Sequence, residues 1–261
     1  EPEPEADTLS FTFDNDGTAI GDVTIPMSGS GLTVSIDWGD GTTDTSLSHN
    51  YTATTATATL FVTGGTVTQL GGTSANTTWV QGGDKLTTVA TSNEATWGLP
   101  GVTNFGQGFR NCSKLTSVPN QIPSTVTAIN NLFYHCVLFN QDISGWNVEN
   151  VTYMRFMFAT HPYDINNSMA FNQDITGWNV SNVTDMMFMF RGCHYFDQDI
   201  RVWSVNDSII LTNMLQDTTA MAAIYGPSGT NPDSDYNGGN PNIEFFNYVP
   251  LEPEPEPEQV G

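Results

Sequence analysis

The sequence predicts a mixed β/α chain: a small antiparallel β-sandwich over residues 8–70, then a solenoid of short strands and short helices over 71–249. Three observations carry this reading. Apolar and polar side chains alternate with period two through the first part. A ten-residue motif recurs in the second part. Each copy of that motif is tied to the same downstream spacing of apolar residues.

The ends come first. Residues 1–7 and 250–261 are Glu-Pro runs, which favour an extended polyproline-type chain stiffened by like charges, and they read as linkers to further modules or an anchor. A start at Glu1-Pro2-Glu3-Pro4 reads as a processed or excised end. The formal charge is −22, with 28 acidic and 6 basic side chains, so the field repels nucleic acid and anionic lipid. No apolar run approaches the roughly 20 residues of a membrane span, so no membrane insertion is expected. Scarce lysine and abundant Thr, Asn, Ser and Gly suit an extracellular or cell-surface protein.

Alternation is clear in Leu9-Ser10-Phe11-Thr12-Phe13, in Leu32-Thr33-Val34-Ser35-Ile36 and in the threonine-rich stretch ending Leu60-Phe61-Val62. Turn signals at Asp16-Gly17 and Asp40-Gly41 separate these strands. The run Ile36-Asp37-Trp38-Gly39-Asp40-Gly41-Thr42, followed by His49-Asn50-Tyr51, resembles the signature of polycystic-kidney-disease-type (PKD) β-sandwich domains.

The motif of the second part reads Phe139-Asn140-Gln141-Asp142-Ile143-Ser144-Gly145-Trp146-Asn147-Val148. It returns from Phe171 to Val180 and from Phe196 to Val205. The longer first interval fits an insertion around His161 to Met169. Between copies, apolar residues fall at i, i+3, i+6, i+7, i+10 and i+13, as in Val183, Met186, Met189, Phe190, Cys193 and Phe196. The same series starts at Val102, Val126 and Val151. That spacing predicts an apolar stripe on one or two helical turns, with the strand near Ile-x-x-Trp. Neither piece buries its apolar face alone, so neighbours stack into about five or six rungs.

The Phe-Asn-Gln-Asp-Ile…Trp-Asn-Val-Ser-Asn-Val-Thr-Asp-Met…Met-Phe pattern resembles the BspA-type leucine-rich repeats of bacterial and protist surface proteins, over roughly residues 86–247. Phe245-Phe246-Asn247 resembles that family's C-terminal end. The resemblance implies a leucine-rich-repeat-like solenoid with a C-terminal cap, exported and associated with adhesion.

Cys112, Cys136 and Cys193 share one repeat position, Phe-x-x-Cys, and His161 takes the equivalent place in the remaining unit. A zinc site is opposed by geometry, because four rungs at the strand spacing span about 15 Å while ligands must converge on one ion. A buried thiol column and a Cys112–Cys136 disulfide both remain open. Calcium is the candidate metal. Asp233, Asp235, Asn237 and Glu244 match the calcium-loop pattern D-x-[DN]-x-[DN]-G-x5-E, with Gly238 at the sharp turn. Pro232, Asn240 and Pro241 depart from that pattern, so an ordinary polar loop competes. Asp14-Asn15-Asp16-Gly17 is a second carboxylate cluster, read as a hairpin turn before a calcium site.

Trp146, Trp178 and Trp203 form a repeat column, read as core before sugar platform. Asn140, Asn172 and Asp197, with Gln141, Gln173 and Gln198, are expected to bond from rung to rung. An ice-binding surface on the Thr103, Thr127, Thr152, Thr184 column would need a regular flat array, which the insertion interrupts. Scattered histidines and the lack of nucleophile, phosphate-cradle or metalloprotease motifs argue against an enzyme. The expected function is recognition or adhesion toward a protein or glycan on a cell or particle surface. The alternative is a structural subunit of an appendage, sheath or virion surface that self-associates.

Overall fold

A computed structural model of the chain describes residues 7–72, 82–160, 168–225, 241 and 243–246. Period-two patterning gives seven strands: β1 (Thr8–Asp14), β2 (Gly21–Thr24), β3 (Met27–Asp37), β4 (Thr43–Asp44), β5 (Ser48–Tyr51), β6 (Thr55–Leu70) and β7 (Leu86–Thr91). One sheet has the order β4-β3-β6-β1-β7, the other pairs β2 with β5, and every pairing is antiparallel. In β1 the apolar Leu9, Phe11 and Phe13 are buried while the intervening Ser10 and Thr12 are only half-buried. Phe13 of β1 meets Tyr51 of β5, with ring centroids 6.1 Å apart, so the two sheets share a core.

β6 links this core to the rest. Its buried residues are Ala58 and Leu60 early on, then Val67 and Leu70. Odd- and even-numbered residues cannot face one side of a regular strand, so the pleat must slip. It slips where β3 and β6 lose register around Gly64 and Gly65, between Leu60 and Val67, and again between Val67 and Gln69, opposite Ser28 and Gly29. Gly65 has φ 75°, and a Cβ there would lie 2.3 Å from the Gly31 carbonyl oxygen, so only glycine fits. Beyond this bulge β6 serves as the first step of a ladder: Gln69 bridges Asn104 in parallel, and the Leu70 amide donates to the Asn104 carbonyl at 3.0 Å.

β7 lies beyond the sequence-based boundary at residue 70, yet it belongs to the sheet as the antiparallel neighbour of β1. It also bridges Ser117 in parallel through Thr88. A sheet edge that would otherwise expose its backbone groups is covered by the repeats.

The ladder continues Asn104–Ala128–Tyr153–Asp185–Ile210, each pair a single parallel bridge. Alternate amides cross between units: Ile129, Asn131, Phe133 and His135 donate to Tyr153, Arg155, Met157 and Ala159 at 2.8–3.0 Å. The next step repeats this, with Met154, Phe156, Phe158 and Thr160 donating to Asp185, Met187, Met189 and Arg191.

Two expectations are corrected here. The apolar series forms successive turns, not helices, as in Leu132 N–H to Ile129 and Cys136 N–H to Phe133. The strand-like pairing falls two residues after the series' first valine rather than near Ile-x-x-Trp. The Ile-x-x-Trp stretches are themselves turns, the Trp146 amide donating to the Ile143 carbonyl at 3.0 Å and Ile200–Val202 forming a 3-10 helix. The cause is backbone handedness. Gln107, Asn131, Phe156, Phe188 and Asn213 occupy one repeat position with φ between 53° and 65°, and a helix cannot pass through a left-handed residue. Four places later Asn111, His135, Gly192 and Asp217 are left-handed as well. Thr160, β-branched, holds that place in the unit carrying the insertion and is not left-handed.

Inside the ladder, Phe109, Phe133, Phe158 and Phe190 stack in succession at 5.9, 5.7 and 5.6 Å. Phe139, Phe171 and Phe196 stack beside them at 6.1 and 6.2 Å. Cross-stacks of 4.1, 4.0 and 4.2 Å join the two columns rung by rung. Two short helices follow the last unit, α1 (Thr219–Tyr225) and α2 (Ile243–Phe246). Phe246 stacks on Trp203 with centroids 6.5 Å apart.

Candidate functional site

The residues singled out in the sequence divide between interior and surface. Trp146, Trp178 and Trp203 are buried, and each indole N–H donates to a carbonyl of the preceding unit, Pro119, Ile143 and Ile175, at 3.1, 3.3 and 3.0 Å. They are core pieces and offer no open platform for a sugar. Cys112, Cys136 and Cys193 are buried free thiols, so Cys112 and Cys136 are not bridged. The Cys136 and Cys193 thiols donate to the Phe109 and Phe158 carbonyls at 2.9 and 3.0 Å. Burial pushes all three thiol pKa values up.

Asp233, Asp235 and Asn237 lie outside the described residues, as do the side chain of Glu244 and the whole of His161. Among the described residues no group of three or more His, Cys, Asp or Glu is placed to hold a metal. Asp14-Asn15-Asp16-Gly17 is a turn, closed by the Asp16 amide on Asp14 Oδ1 at 2.8 Å and tied to the ladder by Lys114 on Asp16.

The asparagine–glutamine ladder is present. Asn140 Oδ1 accepts from the Asn172 amide at 2.9 Å and from Gln173 Nε2 at 3.1 Å. Asn172 Oδ1 accepts in the same way from the Asp197 amide and Gln198 Nε2. The aspartates of this motif cap the following turn: Asp142 accepts from the Ser144 amide, and Asp174 accepts from the Thr176 hydroxyl and amide, bonds that hold both carboxyls below the usual range.

The Trp-Gly-Asp-Gly region forms a closed knot. Trp38 stacks on His49 at 4.9 Å, and the Tyr51 hydroxyl donates to the Trp38 carbonyl at 2.9 Å. His49 Nε2 lies 2.8 Å from Asp40 Oδ2, while Thr42 donates to Asp40 Oδ1 through hydroxyl and amide. The Thr42 and His49 bonds bring the Asp40 pKa down to about 2. Its parts satisfy one another, which fits a structural role.

Two outward features remain. On the bridge row, Asn104, Ala128, Tyr153, Asp185 and Ile210 sit in register, with Tyr153 52% and Ile210 45% exposed. Beside them run Thr103, Thr127, Thr152 and Thr184, each hydroxyl donating to the preceding threonine carbonyl at 3.1–3.4 Å. Elsewhere on the surface an arginine–aromatic strip connects Arg110, Tyr134, Phe156 and Phe188. Sequence reasoning missed the strip. Its signal was there: Phe156 and Phe188 stand where Gln107, Asn131 and Asn213 show a polar, left-handed position.

These features define a chain with antiparallel β-sheets in its N-terminal part, followed by a region of few regular elements, joined by single parallel bridges, around a large buried aromatic core. Residues 85–161 and 103–226 match the family described as Mycoplasma protein of unknown function, DUF285. These matches together cover more than half of the chain, and it belongs to that family. No curated protein and no solved structure matches it. Among the described residues no helix is long and apolar enough to cross a membrane.

Proposed function

We propose that the chain is a non-enzymatic, extracellular recognition module, in which a leucine-rich-repeat-like solenoid of BspA type displays a binding face and a PKD-like sandwich supports its first rung. One observation carries the reading. Positions that point inward stay almost entirely apolar from unit to unit, with valine and phenylalanine repeated at two of them, while the bridge row beside them reads Asn, Ala, Tyr, Asp, Ile. An apolar interior with a varied row that is exposed at Tyr153 and Ile210 and half-buried at Asn104, Ala128 and Asp185 separates scaffold from display, and stacked repeats offer such a row as a long rigid surface. Exposed aromatic and aliphatic side chains at Tyr153 and Ile210 are the contacts such a row supplies to a protein or glycan.

The test is binding of the purified full chain to a glycan array and a panel of purified cell-surface proteins, beside a Tyr153→Ser, Ile210→Ser variant. Both residues are exposed, so the variant should unfold at the same urea concentration as the parent. The reading expects a saturable ligand whose binding falls at least tenfold in the variant. No ligand on either panel, combined with ordered polymers in light scattering and negative stain, would transfer the assignment to a structural subunit.

A further inference from the structure

The chain has only six basic residues against 28 acidic ones, and their placement is uneven. Lys85 pairs with Asp84, Lys114 with Asp16 and Arg201 with Asp199. The other three, Arg110, Arg155 and Arg191, have no carboxylate partner among the described residues, although the protein is crowded with carboxylates. All three lie on one strip. Arg110 sits over the Tyr134 ring at 4.8 Å, Arg155 over Phe156 at 5.3 Å and Arg191 over Phe188 at 5.0 Å. The rings join these into one surface, Tyr134 to Phe156 at 6.2 Å and Phe156 to Phe188 at 4.7 Å. The Nε atoms of Arg110 and Arg191 are buried without an acceptor.

Two of these rings sit where backbone chemistry disfavours them. Phe156 and Phe188 have φ 55° and 58°, a region that asparagine tolerates and a bulky ring does not. The equivalent Asn131 and Asn213 show the unstrained solution within the same chain. Half-exposed phenylalanines held in this way are out of place for folding alone and suit a surface that binds.

We propose that this strip is a docking site for an acidic, proline-alternating peptide, and that its occupant is the Glu-Pro segment Glu252–Glu258 of a second copy of this chain. The match is both chemical and metrical. Proline rings in an extended polyproline helix pack on aromatic faces, and the glutamates between them pair with guanidinium groups. The strip crosses three rung steps of about 4.8 Å, roughly 14 Å in all. A polyproline helix rises about 3.1 Å per residue, so a Glu-Pro run of about five residues covers that span with a glutamate every 6 Å or so. In a chain of net charge −22 the strip gathers the cations that have no ion pair among the described residues, and the Glu-Pro runs are its most regular anionic segments. This inference goes beyond the recognition reading, because it does not involve the bridge row.

The experiment is fluorescence anisotropy of a labelled Glu-Pro-Glu-Pro-Glu-Pro-Glu peptide titrated with the full chain at low salt. The comparisons are a Gln-Pro peptide of equal length and the Arg155→Ala and Phe188→Asn variants. Phe188→Asn adopts the residue that Asn131 and Asn213 already use, so it should fold and isolates the loss of the ring. A further variant, with every glutamate of both Glu-Pro runs changed to glutamine, removes the chain's own competing segments. The proposal expects the Glu-Pro peptide to bind at least tenfold tighter than Gln-Pro, with a fivefold or greater loss in each strip variant and marked weakening at high salt. Tighter peptide binding by the glutamine-tailed chain also supports it, since the native segment then occupies the strip. Equal binding of both peptides, unchanged binding in Arg155→Ala and Phe188→Asn, or no binding even to the glutamine-tailed chain would overturn it.

Discussion

Replacing Phe158 by alanine removes the side chain on which three others rest. Its ring stacks on Phe171 at 4.0 Å and lies between Phe133 at 5.7 Å and Phe190 at 5.6 Å, fully buried. Truncating a buried phenylalanine costs about 3–5 kcal/mol through lost transfer energy and the cavity left behind. Aromatic pairing adds about 0.5–1.5 kcal/mol per pair, which puts this site at the upper end of that range, about 4–5 kcal/mol. The flanking backbone is pinned by the Phe158 amide on the Met189 carbonyl at 2.9 Å and by the Phe133 amide on the Met157 carbonyl, so collapse into the cavity is limited. Against a typical stability of about 5–15 kcal/mol the loss is large. It should lower Tm by about 10 °C or more in a chain of this size. Urea unfolding followed by tryptophan fluorescence measures it directly, with Phe158→Leu expected to recover more than half of the loss. A loss under about 1 kcal/mol in Phe158→Ala would refute the stacked interior, because an exposed or loosely packed ring costs no more than that.

Three further predictions follow from the geometry. Asp40 has a folded-state pKa of about 2, below its ordinary 3.8, so its contribution to stability is complete above about pH 4 and is lost as pH falls toward 2. The stability difference between parent and Asp40→Asn should therefore be constant at neutral pH and vanish at the acid end, and a difference that grows on acidification would contradict the assignment. Cys112, Cys136 and Cys193 should resist a thiol reagent at pH 8 in the native protein and react together in urea, whereas rapid labelling of native protein would mean the column is open. Asn140→Ala leaves the Asn172 amide and Gln173 Nε2 without their shared acceptor at an exposed position and should cost about 0.5–1.5 kcal/mol in urea unfolding, while a change below a few tenths would mean that solvent satisfies both.

The columns were legible because repetition exposes them. Aligning Val102, Val126, Val151 and Val183 predicts which side chains stack, and the Phe139, Phe171, Phe196 column is found as expected. The asparagine and glutamine rungs were legible for the same reason. Local conformation was not. A spacing of i, i+3, i+6, i+7 suits a helical stripe, but it also suits i→i+3 turns joined by left-handed residues. The distinguishing signal was Gln107, Asn111, Asn131 and His135 in the middle of the supposed helices, of which asparagine and histidine are enriched at positive φ. Pairing of β7 with β1 was invisible, since Leu86–Thr91 lies far along the chain from Thr8–Asp14 and only tertiary structure brings them together. The arginine–aromatic strip was not legible because repetition marks the apolar positions, and the strip is built from positions whose residue changes between units.

The most direct measurement is a set of ring-to-ring nuclear Overhauser contacts in protein carrying labelled phenylalanine, assigned by single substitution. Phe171 should show contacts to both Phe158 and Phe196, whose ring centroids lie 4.0 and 6.2 Å away. Contact with neither, in a folded and cooperative protein, would mean that equivalent side chains do not share an interior and that the units do not stack in parallel.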